Sequence, residues 1–369
     1  MKNVYNSVLY VNIDMLRQNV LSVAETLPEG TKIIPVLKSD AYGMGMLPFA
    51  RSLVSLPAVE MLAVAHVSEA LELRAGGIGG EILVLGNPAP GALDAAAEAE
   101  LTLTVGRLGL IPELASLSRP CRVEIKLDTG LHRVGVAPGE ELDILLAELH
   151  DAGERVTLRG VYSHFADTED AASCARQYSL FEKGTEQIRT AAFSVPRRHI
   201  CDSAASENYP AYALDAVRLG RRLTMDHPLR PNGSVTELAS WRSCITDLHD
   251  RRRGDTLGYA SEFVLPADAR IATVGVGYGD GLPAALCREH GEVLVGGVRC
   301  PLLCCCMDLC FADVSGVDCA VGDEVTFFGW DSAGNFLSVQ EVAAVYGGRE
   351  GCEITTGLSS RVKRVYLGE

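Results

Sequence analysis

No stretch of this 369-residue chain is long and apolar enough to read as a membrane span. The first twenty residues carry Asn3, Asn6, Asn12, Asp14 and Arg17 through an otherwise apolar run, which is not the pattern of a secretory leader. A cytoplasmic protein is therefore expected. Positive charge is also scarce: 33 Lys and Arg against 48 Asp and Glu give a formal net charge of -15. That balance argues against a nucleic-acid partner, which would need a basic face. Paired CxxC knuckles are missing despite twelve cysteines. Cys300, Cys304, Cys305, Cys306 and Cys310 crowd together with adjacent residues, which suits strand packing better than tetrahedral metal ligation. Without an export signal, stable disulfides are not expected either. The thiols read as small buried apolar groups, and no metal site is assigned.

What is present is an ordinary globular composition, 47% hydrophobic and 22% charged, in a chain long enough for a large domain and a smaller one. The first part repeats a short β-branched run followed by a helical pattern. Residues 33–37, 62–65, 82–85, 101–105, 123–127, 158–163, 199–201 and 216–219 read as strands. Between them lie amphipathic stretches such as 67–74, closed by Gly76 and Gly77. Eight strands alternating with helices predict an N-terminal (β/α)8 TIM barrel over 8–230. After Pro231 the pattern changes to β runs, 271–276, 292–295 and 325–328, separated by Gly, Asp and Asn turns, with one clear helical stretch at 338–346. A C-terminal mainly β domain over 235–369, joined by residues 1–7, is expected, with the Arg, Pro and Asn-rich segment 221–233 as linker.

The most informative segment is Pro35-Val36-Leu37-Lys38-Ser39-Asp40-Ala41-Tyr42-Gly43-Met44-Gly45. An apolar strand ends on a lone lysine and a small-residue loop follows. Such a lysine either snorkels to the surface or performs Schiff-base chemistry. Lys126, His164, Ser203 and Arg218 also fall at or just beyond strand ends, where barrels keep their chemistry.

These segments resemble, in order, those of the alanine racemase family. Lys38 with Ala41-Tyr42-Gly43 is similar to its cofactor-lysine motif. Lys126-Leu127-Asp128-Thr129-Gly130 with Arg133-Val134-Gly135, Ser163-His164-Phe165-Ala166, Ser203-Ala204-Ala205 and Val217-Arg218-Leu219-Gly220 follow. In the second domain come Gly258-Tyr259-Ala260, Gly277-Tyr278-Gly279-Asp280-Gly281 and Cys306-Met307-Asp308. The resemblance implies a pyridoxal 5'-phosphate-dependent amino-acid racemase that interconverts L- and D-alanine as a homodimer with shared sites. It implies that Lys38 anchors the cofactor and serves as one acid–base group, with Tyr259 of the partner subunit as the other. Tyr42, Ser203, Gly220 and the backbone near Arg221 would hold the phosphate. Arg218 would meet the pyridine nitrogen, with His164 linking it towards the tyrosine. Arg133 and the Met307 N–H would meet the substrate carboxylate, and Lys126, carbamylated in many members, would orient Arg133.

The chain departs from the family pattern at Asp40, Met44 and Asp202. It departs again around the path to the site, where Ala284 and Cys304 stand for arginines and Cys352 for a tyrosine. Those changes leave serine, or a broader set of amino acids, as an alternative substrate, with Cys352 as the specificity position. A non-catalytic cofactor-binding barrel is a second class of reading, opposed by the long β domain that carries Tyr259 and Met307. A decarboxylase of the same fold is a third, opposed by Arg218, because such an enzyme would place a carboxylate at the ring nitrogen.

Overall fold

The computed structural model describes residues 5–224, 237–348 and 350–368. The chain divides into two compact units, one built from residues 17–41 and 46–223, the other from 1–16, 42–45 and 224–369.

The opening strand Ser7–Asn12 (β1) belongs to the second unit. The first unit is built on parallel strands. These are Lys32–Pro35 (β2), Leu62–Val64 (β3), Ile82–Val84 (β4), Thr102–Val105 (β5), Cys121–Lys126 (β6), Val156–Tyr162 (β7), Arg198–His199 (β8) and Ala216–Leu219 (β9). Strands β3 to β8 pair in sequence order and β2 pairs with β9. Bridges Ile33 to Val59 and Val36 to Ala63 join β2 towards β3. On the other side the Arg218 N–H donates to the Cys201 carbonyl at 3.0 Å, joining β9 to β8. The ring is closed, and no sheet edge is left to template aggregation. Its short strands are apolar almost throughout because barrel residues face either the interior or the surrounding helices.

The helices show the expected stripe. In Ala171–Thr190, buried Cys174, Gln177, Phe181, Thr185 and Ile188 recur every three to four residues. Asp170 caps this helix by accepting the Ser173 N–H. The eight strands read from sequence are all present, with ends displaced by at most two residues and 216–219 matched at both ends.

The second unit is a nine-stranded mixed sheet with satellite strands. It contains β1, Ala239–Arg251 (β10), Ala269–Val274 (β13), Glu292–Val295 (β14), Val298–Cys305 (β15), Cys310–Asp313 (β16), Glu324–Trp330 (β17), Phe336–Leu337 (β18) and Lys363–Leu367 (β19). The hairpin Thr256–Leu257 (β11) with Phe263–Val264 (β12) lies outside the main sheet. β10 is its spine, pairing with β1, β13 and β17. It was invisible as a strand in the sequence because polar residues interrupt its outer half, where Asp247, His249 and Asp250 sit. The single helix read after residue 231 is there as Val339–Val345, but Ala284–Arg288 and Cys352–Gly357 are helical too. Each is too short to show a period. The linker read over 221–233 begins with a helical turn, Arg221–Thr224, and its remainder lies outside the described residues. Cys300, Cys304, Cys305 and Cys310 are buried along β15 and β16, as strand packing requires.

Candidate active site

Lys38 follows β2 by three residues. The Val36 N–H donates to Leu219 at 2.8 Å and the Leu37 N–H to Ala63 at 2.7 Å, so the chain stays pinned between its neighbours up to the lysine. The loop expected after it is a left-handed helical turn: Ser39, Asp40, Ala41 and Tyr42 have φ of 53°, 54°, 51° and 57°. For L-residues that conformation costs about 1–2 kcal/mol each. Local bonds offset it. The Glu69 carboxylate accepts the Ser39 N–H at 2.6 Å on one oxygen and those of Ala65 and His66 at 2.8 and 3.0 Å on the other. Asp40 accepts the Met46 N–H at 2.7 Å. Backbone strain held this firmly is characteristic of functional sites. Further along, Gly43 has φ +81°, and a Cβ there would collide with the Thr355 carbonyl of the same unit. Only glycine fits that approach.

On the neighbouring strand, Arg218 is buried near the close of β9, in register with Ile34 of β2. Its Nη2 donates to the carbonyls of Ser163 and Ile200 at 2.7 and 2.8 Å and to His164 Nδ1 at 3.0 Å. Its Nη1 donates to His199 Nδ1 at 2.7 Å. Burial, aided by the charge of Arg218, holds His164 well below the usual histidine range, and burial likewise lowers His199. Every acceptor around the guanidinium is therefore neutral. His164 Nε2 lies 3.7 Å from Asp202, which also caps the helix Ser203–Asn208 by accepting the Ala205 N–H at 2.9 Å.

Lys126 ends β6, buried, with Nζ 5.2 Å from the centre of the Tyr162 ring. Burial, with Arg218 and Arg133 adding, lowers its pKa to about 7. Asp128 accepts the Gly130 and His132 N–H groups at 3.0 and 3.1 Å and meets the His132 ring at 3.0 Å. Ser203 and the turn after Gly220 converge, with the Arg222 N–H reaching Ser203 Oγ at 3.3 Å.

The residues singled out in the second unit look different. Tyr259 heads a three-residue turn, Tyr259–Ser261, held by left-handed Ala260 and Ser261, and its side chain is 79% exposed. Met307 is exposed as well. Cys352 starts a short helix, its carbonyl accepting from Thr356 Oγ1 at 2.6 Å. Ala284 is half-buried at the head of Ala284–Arg288. Cys304 is buried against Leu257, Leu265 and Ile271, so its side chain belongs to the core of the unit rather than to an open path.

Sequence reading passed over the residues behind Arg218. His199 stacks on Tyr162 with ring centres 4.9 Å apart and contacts Glu124 at 2.7 Å, and Glu124 receives Arg197 at 2.7 Å. The available signal was a histidine in a two-residue barrel strand and a glutamate alternating with apolar residues in β6, both polar residues on faces that should be dry. Glu69, three residues after His66 at the head of its helix, carried the spacing of a capping residue.

The class is that of a closed parallel barrel followed by a β unit, with a lysine just beyond the end of β2 and a buried arginine on the adjacent β9. Comparison narrows it. The profile of the alanine racemase N-terminal domain matches residues 11–228 and that of the C-terminal domain residues 238–366. The chain is 34% identical to the alanine racemase of Geobacter sulfurreducens over 374 residues, covering 97% of this chain and 96% of that one. It is 33% identical to alanine racemase 1 of Oceanobacillus iheyensis over 337 residues, covering 88% and 89%. The crystal structure of alanine racemase from Bacillus anthracis with bound L-Ala-P superposes with a TM-score of 0.91 at 28% identity, covering 100% of this chain and 96% of that one. The chain belongs to the alanine racemase family.

Proposed function

We infer that the protein is a pyridoxal 5'-phosphate-dependent isomerase that interconverts L- and D-alanine. The observation that carries this reading is Arg218: a buried cation at a barrel strand end whose acceptors are all neutral. Arginine can only donate and stays protonated, so it suits an unprotonated ring nitrogen and not a second cation. That donor set fits the cofactor. When bound, the cofactor delocalises the electron pair left as the substrate Cα–H bond breaks.

The side chains divide the remaining work. Lys38 is the covalent anchor, and its Nζ, once displaced by the substrate amine, takes or returns the Cα proton on one face. Tyr259 of the partner subunit supplies its phenolic proton, or accepts one, on the opposite face. Inversion needs both groups, because a single base returns the proton to the face it left. The cations near the site assist a phenol that would otherwise titrate near pH 10. Tyr42, Ser203, Gly220 and Arg221 hold the phosphate, and Arg133 with the Met307 N–H orients the carboxylate. Lys126, whose amine titrates near 7, reacts in its neutral form with carbon dioxide to give a carbamate anion and a proton. That replaces a would-be third cation beside Arg133 and Arg218 with a compensating charge. The exposed Tyr259 and Met307 support a homodimer in which the β unit completes the partner's site. A cytoplasmic location fits twelve cysteines outside any disulfide, and no helix among the described residues is long and apolar enough to cross a membrane.

The test is Cα exchange in deuterated water with the pyridoxal-phosphate-loaded protein, followed by chiral analysis. Deuterium should enter both enantiomers of alanine, whichever is supplied. Exchange that keeps the starting configuration, or none with any amino acid, contradicts the reading.

A further inference from the structure

Behind Arg218 lies a chain of groups whose hydrogen-bond direction is fully determined. Arg218 Nη1 can only donate, so His199 Nδ1, at 2.7 Å, must present its lone pair. The neutral ring then carries its one proton on Nε2, which faces Glu124 Oε2 at 2.7 Å. An ionised carboxylate can only accept, and its other oxygen accepts from Arg197 Nη1, also at 2.7 Å. Arg197 continues to Glu81 and Glu60, each at 2.9 Å. Glu124 and His199 are sealed from solvent, and the imidazole lies nearly parallel to the Tyr162 ring, at 12°. A ring packed this way cannot turn over freely to exchange its nitrogens. Burial would push Glu124 up, but His199 and Arg197 outweigh it and keep the carboxyl ionised.

The order of groups has a consequence. A carboxylate placed directly on Arg218 would occupy its fork and absorb its charge. With an imidazole between them, a compensating negative charge is supplied while the guanidinium keeps its donors for other acceptors. We propose that Glu124 is a positioning residue, which together with Arg218 fixes the Nε2–H tautomer of His199 and so holds Arg218 as a donor towards the cofactor ring. The inference rests on the reading of Arg218 given above. The competing role is a structural ion pair with Arg197, indifferent to the proton on His199.

Glutamine at 124 separates the two. Its amide cannot accept from both Arg197 and His199 with its two ends, so the outer nitrogen must face one donor with another. The full-length protein, labelled with ¹⁵N at its eight histidines, is measured with and without pyridoxal 5'-phosphate, and His199 is assigned from the signal lost in H199N. The wild type should show a neutral His199 protonated at Nε2, both with and without the cofactor. E124Q should move the proton to Nδ1 or mix the two forms, and shift the visible band of the bound cofactor. It should lower kcat by roughly 10–100-fold, the usual scale for a group supporting a ligand, with the KM for alanine nearly unchanged. In an H199N background E124Q should cost under about twofold more, because the two act as a unit.

A wild-type His199 protonated at Nδ1, an unchanged tautomer in E124Q, or losses that multiply in the double variant each overturn the proposal. If E124Q does not fold, E124D decides: its shorter reach should loosen the bond to His199, mix the tautomers and lower kcat together, and a change in kcat without a change in tautomer, or neither change, counts against the proposal. Failure of the cofactor to bind the wild type would refute the reading of Arg218, while the histidine signals of the unloaded protein still judge Glu124.

Discussion

The barrel and the β unit hold their candidate site residues in opposite ways. In the barrel, Arg218 and Lys126 are 4% and 5% exposed, and the arginine is fixed by four acceptors. In the β unit, Tyr259 and Met307 are 79% and 52% exposed. A buried network costs so much to leave unsatisfied that its geometry is set during folding. An exposed tyrosine on a short turn has no such constraint and acquires its position from whatever covers it. Under the proposed function, one half of the site is built by the chain that contains it, and the other would be completed by a second copy.

The largest effect should come from the barrel side. K38A removes the covalent anchor and one acid–base group together, so turnover should fall by at least roughly 10³-fold, with loss of the cofactor's visible band. Borohydride reduction of the loaded wild type followed by peptide mapping should label Lys38; a label on another lysine would reject the assignment. From the other side, Y259F should retain cofactor binding and the fold while losing roughly 10²–10⁴ in turnover. Deuterium incorporation should then survive on one face only. Equal damage on both faces would remove the distinction between the two halves.

Lys126 sharpens the comparison through pH. Its amine titrates near 7 when folded, against an ordinary lysine value of 10.5. Between those values the unfolded chain holds a proton that the folded chain has lost. In CO2-free buffer, stability should therefore rise from pH 7 towards 10.5, and K126M should flatten that rise. Denaturant titrations across the range test it. Bicarbonate added to the stripped enzyme should raise activity several-fold above pH 7 and progressively less below it, as the amine protonates and carbamate formation fails. A ¹³C signal from labelled CO2 that persists in K126M would place the carbamate elsewhere.

The smallest effect concerns selectivity. C352Y introduces bulk and a hydroxyl at the position that the sequence resemblance matches to a tyrosine. Discrimination over one small group is worth about 1–3 kcal/mol, so the ratio of kcat/KM for L-serine to L-alanine should fall tenfold or more. An unchanged ratio removes Cys352 as the selectivity determinant.

How much of this was legible in the sequence follows the same division. The barrel strands were readable because burial on both faces writes them as unbroken apolar runs, and the strand-end residues because chemistry there interrupts such runs. β10 was not readable, since its outer half alternates charged residues that only its partners' register makes a strand. The left-handed turn after Lys38 escaped because three of its four residues, Ser39, Ala41 and Tyr42, are ordinary right-handed formers. Their conformation is imposed from outside by Glu69. Glu124 and His199 were hidden for a related reason. Each looks like an isolated polar residue in a strand, and only the closure of the barrel brings β6, β8 and β9 into one network.

Mixing the two inactive proteins tests the central claim most directly. K38A and Y259F subunits, exchanged and shown by mass to have formed mixed dimers, should recover about a quarter of wild-type activity, since half the dimers are mixed and each has one intact site. Full exchange with no recovery, or a wild-type monomer that racemises alanine at the dimer's rate, would contradict the account.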